Sequence, residues 1–487
     1  MTIGLTSLNL LILQINFFDN CIFGSRIDVL IYSELFILQF LLFMKNNFLS
    51  LLFLAISVVF TFFLTGFYPK SGSSAVKDDY TGDNYFRYED YVYVDHIKTV
   101  LLHHTGTQLS YPIISLNGQE QLLLSFDDFK TLPRDYYYSI THCNANWTPS
   151  DLRPNEYIDG FFEDIIFDYQ YSINTDIPYL HYQLKIPNEN LAFTKSGNYL
   201  IKVYENGKAD SPILTKRFMV YDNQISISID PKRATNVDLQ FTHQEIDFTI
   251  DHTGYNIIDP FNDLQVVVFQ NFRWDNAVYN LPPRFIKGQE LVYDYETENS
   301  FWGNNEFREF DLKSIRYQTL NVEKINYNTE KKMYEAHVVP DLNRSYKRYT
   351  TNPDINGNFL IKRNEGENSE YEADYINVHF TLANVPQKDG NFYIFGKLSD
   401  WRFKDEFRMK YDSTSSSYTA EVMLKQGFYN YAYCLLKDGA KTVGDMSEIE
   451  GSYSQTENDY IVLAYHRKPN QLYDELIGFH KVNTRDE

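Results

Sequence analysis

The chain has 487 residues and a formal net charge of −21, from 65 acidic against 44 basic side chains, a balance that argues against a nucleic-acid partner. An aromatic share of 17% with ordinary glycine and proline excludes a disordered or low-complexity chain and supplies large aromatic cores. At roughly 150 residues per domain, the part that follows the apolar opening has room for three domains.

That opening is read first. Residues 29–43 and 48–64 are mostly apolar, and Met44-Lys45-Asn46-Asn47 separates them. Met44 and Lys45 form a short basic n-region, 48–64 an h-region, and Ser71-Gly72-Ser73-Ser74-Ala75 supplies small residues for cleavage. The expectation is a hydrophobic leader over 1–74: a mis-assigned start over 1–43, then a signal peptide over 44–74. A membrane anchor is the alternative, since the apolar run reaches the lower limit for a spanning helix, about 17 residues.

After residue 75 no long 3.6-period apolar pattern occurs, whereas period-two alternation recurs between turn signals, which predicts an all-β protein. Residues 122–126 and 136–140 read as strands, as does the run with Tyr199, Ile201 and Val203 before the Asn206-Gly207 turn, and 217–221 closes this unit. The polar break Asp222-Asn223-Gln224 sets a boundary. Ile246, Phe248 and Ile250 alternate with Asp247 and Thr249, then come the apolar run 264–269 and an aromatic stretch through Trp274 and Trp302. Residues 340–370 read as a loop-rich bridge, and 393–395, 418–424, 428–436 and 460–465 as the strands of a last unit. The expected architecture is three consecutive β-sandwiches, Ig-like or carbohydrate-module-like, over 75–223, 224–370 and 371–487.

Catalytic constellations are scarce. No HExxH, paired CxxC, GxSxG or glycine-rich phosphate loop occurs. His103-His104 and His142-Cys143 are sequence neighbours, which a strand sends to opposite faces, so neither couple makes a ready metal or thiol–imidazole site. Asp127-Asp128, and Glu306 with Glu309, are carboxylate pairs of a kind that 65 acids produce by chance. Cys143 and Cys434 read as buried thiols, and a disulfide would have to join two domains. The reading is a protein that is not an enzyme, takes no cofactor, metal or small-molecule substrate, and is monomeric outside its complex.

One segment mixes turn formers with large aromatics outside any clean strand: Trp147-Thr148-Pro149-Ser150-Asp151-Leu152, then Glu156-Tyr157-Ile158-Asp159-Gly160-Phe161-Phe162. It reads either as a core-capping loop or as a binding loop, and burial decides between them. Trp147, Tyr157, Phe161 and Phe162 are the interface candidates it supplies.

This segment, together with Leu124-Ser125-Phe126-Asp127-Asp128, His142-Cys143-Asn144-Ala145-Asn146, Ser196-Gly197-Asn198-Tyr199, Asn305-Glu306-Phe307-Arg308-Glu309-Phe310-Asp311 and Tyr473-Asp474-Glu475-Leu476, resembles the plug protein family of the bacterial type IX secretion system over residues 85–480. The resemblance implies a periplasmic protein of the Bacteroidetes that docks on the outer-membrane translocon barrel and seals its pore. It carries no catalytic residues to transfer. A second resemblance, of Tyr393-Ile394-Phe395-Gly396-Lys397-Leu398-Ser399-Asp400-Trp401 and Gly427-Phe428-Tyr429-Asn430-Tyr431 to glycogen- and starch-binding modules, adds Trp401 as a candidate and a periplasmic or surface glycan-binding protein as the alternative function.

Overall fold

The computed structural model describes residues 86–485, and the leader expected over 1–74 lies outside the described residues. The described chain is built almost entirely of strands, and its sheets face one another in three pairs, each pair closing on its own apolar core.

In the first pair, one sheet runs through Tyr91–Val92, Pro212–Tyr221, Gly197–Glu205, Tyr136–Cys143 and Glu163–Ile165, and the other through Ile97–His104, Leu122–Asp128, Leu180–Ile186 and Asp168–Tyr171. Period-two alternation explains the packing. Tyr136, Tyr138 and Ile140 point inward to meet Phe126, Leu180 and Tyr182 from the facing sheet.

The second pair opens after the polar break at 222–224 with Ser226–Arg233 and His243–Asp251, on which Glu290–Tyr293 and Ser300–Trp302 lie. Its facing sheet is completed from the far end of the chain. Leu264–Gln270 pairs with Asp459–His466, which pairs in turn with Glu475–Asn483. The third pair spans what lies between: Arg308–Asp311, Phe359–Ile361, Gly390–Phe395 and Gly427–Lys437 on one side, Val322–Asn328, Met333–Val338, Tyr375–Ala383 and Ser417–Lys425 on the other.

The expected divisions 224–370 and 371–487 are therefore corrected. The third core begins near Phe310 and ends near Ile449, while Tyr460, Val462 and Ile477 belong to the second. Asp459–His466 is buried at every position because it is covered on both faces. Tyr460, Val462 and Ala464 fill the second sandwich, and Ile461, Leu463 and Tyr465 pack on Leu200, Met219 and Trp147 beside the first. A strand clad in this way reads as a continuous apolar run, and nothing in the run names its partner strand.

The first and third sandwiches meet through polar contacts. The Asp127 carboxylate takes the Lys425 ammonium at 2.6 Å, the Tyr375 hydroxyl at 2.6 Å and the His181 ring at 2.6 Å, all buried. Burial alone would raise the Asp127 carboxyl, but Lys425 and His181 outweigh it and hold it below the usual range. A second bridge joins Lys216 to Asp400 at 2.9 Å and to Asp90 at 3.1 Å.

Candidate protein-interaction surface

The aromatic loop divides into a buried and an exposed half. Trp147 sits at positive φ, 65°, in a turn whose amide donates to the Asn144 carbonyl at 2.9 Å. The left-handed kink throws its ring inward, edge-on to Trp274 at 5.1 Å with the Arg217 guanidinium 4.3 Å from its centroid, and it is 3% exposed. Tyr157 ends the short helical turn Pro154–Tyr157 at 4% exposure and donates its hydroxyl to the Ile140 carbonyl at 3.1 Å. Trp401 is 8% exposed, packed on Phe395 and Phe307, with Arg273 5.0 Å from its ring. Its ring lies so close to Gly357, at φ 74°, that a Cβ there would stand 2.4 Å from it. These three residues are core wedges, not contact residues, and Trp401 offers no face for a sugar ring.

Phe161 and Phe162 are the opposite case, 61% and 51% exposed. They open a segment that crosses from one sheet of the first sandwich to the other along its edge. Glu163–Ile165 hangs on the outer side of Tyr136–Cys143, and Asp168–Tyr171 on the outer side of Leu180–Ile186. Neither strand pairs with a second neighbour among the described residues. Only Ile166 anchors the crossing in the core, its amide donating to the Tyr136 carbonyl at 2.8 Å. Phe167, at 75% exposure, and Tyr171 and Ile173 extend the apolar strip.

Open edge strands and contiguous exposed aromatics mark surfaces that natural proteins use for association. Charge sharpens the picture. Residues 154–184 carry six acids, Glu156, Asp159, Glu163, Asp164, Asp168 and Asp176, and no lysine or arginine. The strip fits a partner with apolar pockets set among basic groups. The sequence reading found its first two residues and missed Phe167, Tyr169 and Tyr171. Their signal was the run Phe167-Asp168-Tyr169-Gln170-Tyr171, aromatic at every second place with polar residues between, in a strand exposed at every position.

The carboxylate and thiol candidates serve the fold. Asp127 is neutralised as described, and Asp128 accepts from the Tyr136 hydroxyl at 2.9 Å. Cys143 and Cys434 are free and buried, and burial pushes the Cys143 thiol up to about 12, away from nucleophilic use. The His142 ring contacts the Ser150 hydroxyl and the Ser196 carbonyl rather than the sulfur. The His103 and His104 rings engage separate carbonyls, those of His104 and Ile113. Glu306 accepts from Tyr349 and pairs with Arg485. A recess of about 220 Å³ lined by Arg308, Asp341 and Arg344 is polar, and its arginines are paired with Asp341 and Glu450. No helix among the described residues is long and apolar enough to cross a membrane.

Residues 97–222, the first sandwich with the aromatic strip, match the family model described as Type 9 secretion system plug protein 1st domain. A solved structure of a hypothetical protein from Parabacteroides merdae is 35% identical, with 82% of this chain and 100% of that chain covered and a TM-score of 0.79. An alkylpurine DNA glycosylase, AlkC, from Pseudomonas fluorescens aligns at 10% identity over 26% of this chain and 29% of its own, with a TM-score of 0.13 that carries no argument. No curated protein matches the chain at a significant level.

Proposed function

Because the chain belongs to the type IX secretion system plug protein family, we propose that it is a periplasmic plug that binds the outer-membrane translocon barrel and closes its pore. The observation that carries the docking mode is the acidic, aromatic edge at 161–173, which begins at the sequence-proposed Phe161 and Phe162 and whose large side chains face solvent. A stopper needs rigid bulk and a contact surface and no chemistry. Three sandwiches locked by buried ion pairs and a shared strand supply the bulk. The strip supplies aromatic anchors of the kind that dominate interface energies. In this reading the protein is not an enzyme, and a basic, apolar rim on the periplasmic mouth of the barrel is the partner.

The test combines a deletion with point variants. Loss of the protein should leave the outer membrane leaky to medium-sized solutes, and Phe161→Ala with Phe167→Ala should release the barrel in co-purification while leaving the melting temperature unchanged. A deletion that causes no leakage, together with the absence of any barrel complex, would overturn the plug reading. A complex that survives the double variant would overturn only the docking surface.

A further inference from the structure

The outward face of the third sandwich holds a set of side chains that the plug reading does not use. Met333–Val338 and Tyr375–Ala383 run parallel, and their register sets His337 directly beside His379 and Glu335 beside Asn377. On the other flank Glu421 stands opposite His379 in the antiparallel pairing with Ser417–Lys425. Alternation turns Ala336, Val338, Val378 and Phe380 into the core, so Glu335, His337 and His379 share the opposite, half-buried face, with Glu421 exposed beside them.

The two imidazoles stack at 4.3 Å with 6° between their planes. His379 Nε2 lies 3.9 Å from Glu335 Oε2 and its Nδ1 3.6 Å from Glu421 Oε1, distances too long for hydrogen bonds. Nε2 is sheltered from solvent and has no hydrogen-bond partner. One ligand atom from each of Glu335, His337 and His379 lies within 4.8 Å of the others. Burial and the neighbouring His379 hold His337 below the usual histidine range.

We propose that Glu335, His337 and His379 form a binding site for a divalent transition-metal ion, with water as the fourth ligand and Glu421 orienting the His379 ring from its Nδ1 side. Imidazole with carboxylate suits zinc-class ions, whereas calcium and magnesium prefer all-oxygen sets. Bonds of about 2.0–2.1 Å would bring the ligand atoms to about 3.3 Å from one another, a contraction that half-buried side chains on adjacent strands can make. The stacked rings aim their lone pairs along parallel planes, so one imidazole turns about its Cβ–Cγ bond on binding. Lys331, whose ammonium is 3.0 Å from Glu335 and which is half exposed, occupies the place of the cation and swings out to solvent. The bound ion would tie three neighbouring strands across one face.

Zn2+ titrated calorimetrically into chelator-treated protein tests the site. One equivalent should bind, with a rise in melting temperature, and Co2+ in its place should give intensified visible bands of nitrogen–oxygen coordination. His337→Ala and His379→Ala should each weaken Zn2+ by about tenfold or more, and Glu421→Gln by less, with near-UV circular dichroism unchanged. His379→Gln, closer in shape, covers the case in which the alanine variant misfolds. Zn2+ binding equally well to the folded double variant His337→Ala/His379→Ala, or no stoichiometric binding by the unaltered protein, would overturn the proposal. Neither result bears on the plug reading, whose readout is the barrel complex.

Discussion

Asp127 and Lys425 form an ion pair of 2.6 Å across the junction of the first and third sandwiches, with both side chains shut off from solvent. Two charges taken out of water are costly, and the pair holds only because the Tyr375 hydroxyl and the His181 ring also serve the carboxylate and the Glu370 carbonyl accepts from the ammonium. The relation fixes the orientation of two units whose own cores are separate.

Lys425→Met removes the buried ammonium and leaves the Asp127 carboxylate to the His181 ring and the Tyr375 hydroxyl alone. Its expected cost is about 3–5 kcal/mol, seen as a lower midpoint in denaturant unfolding, and the double variant with Asp127→Leu should recover a large part of it. Equal destabilisation in the single and double variants would show that the junction does not depend on the charge balance.

Trp147 and Phe161, fourteen places apart in one aromatic loop, should behave oppositely. Trp147→Ala empties the space between Trp274 and Arg217 and is expected to cost about 3–5 kcal/mol of stability. Phe161→Ala should leave the melting temperature within about 0.5 kcal/mol equivalent of the parent. Thermal unfolding of the two variants side by side measures the contrast.

The all-β class was legible because alternation is local: each strand announces its two faces within its own residues. What was not legible is pairing over distance. The run Tyr460-Ile461-Val462-Leu463-Ala464-Tyr465 reads as a strand from sequence, yet its partner Leu264–Gln270 lies nearly two hundred positions earlier, and no local signal ties them. For the same reason Trp147 and Trp401 read as loop aromatics. Their burial is created by partners distant in sequence, Trp274 for Trp147, and Phe307, Phe395 and Arg273 for Trp401. His337 and His379 form no sequence motif, and only the parallel register of their strands brings them together.

A chain ending at residue 455 should lose the second sandwich before the third. Hydrogen exchange should show Ser226–Arg233 and His243–Asp251 losing protection, because their core is completed by Tyr460, Val462 and Ala464, while Tyr375–Ala383 and Ser417–Lys425 keep theirs. Uniform loss of protection across all three units would mean that they fold as one cooperative block.

Stability should fall on mild acidification through His142. Burial holds its imidazole down to about 4, with the neutral ring in contact with the Ser150 hydroxyl and the Ser196 carbonyl. The unfolded ring takes up its proton near pH 6.5, so between about 6.5 and about 4 the unfolded state binds more protons and stability declines as pH falls, by an amount on the order of 3 kcal/mol. Above that window the contribution is complete. His142→Gln should flatten this part of the stability profile measured by urea unfolding at stepped pH, and an unchanged slope would assign the effect to another group.

The acidic, aromatic edge should bind its partner through both of its characters, and the two can be separated. Charge acts at long range and is screened by salt, whereas buried rings act on dissociation. Asp159→Lys with Asp168→Lys reverses charge at two exposed places without touching an aromatic ring, and is expected to slow association with the barrel and to flatten its salt dependence. Tyr171→Ala with Phe167→Ala removes exposed rings and leaves the charge intact, and is expected to speed dissociation, with a loss of about 2 kcal/mol or more where the rings are central anchors. Surface plasmon resonance against the purified barrel at low and high salt reads the two rates separately. The edge strand Asp168–Tyr171 keeps its pairing to Leu180–Ile186 in both variants, so their melting temperatures should match the parent. If both pairs of substitutions leave both rates unchanged, the barrel contacts a different face of the molecule, and the open edge of the first sandwich has no part in docking.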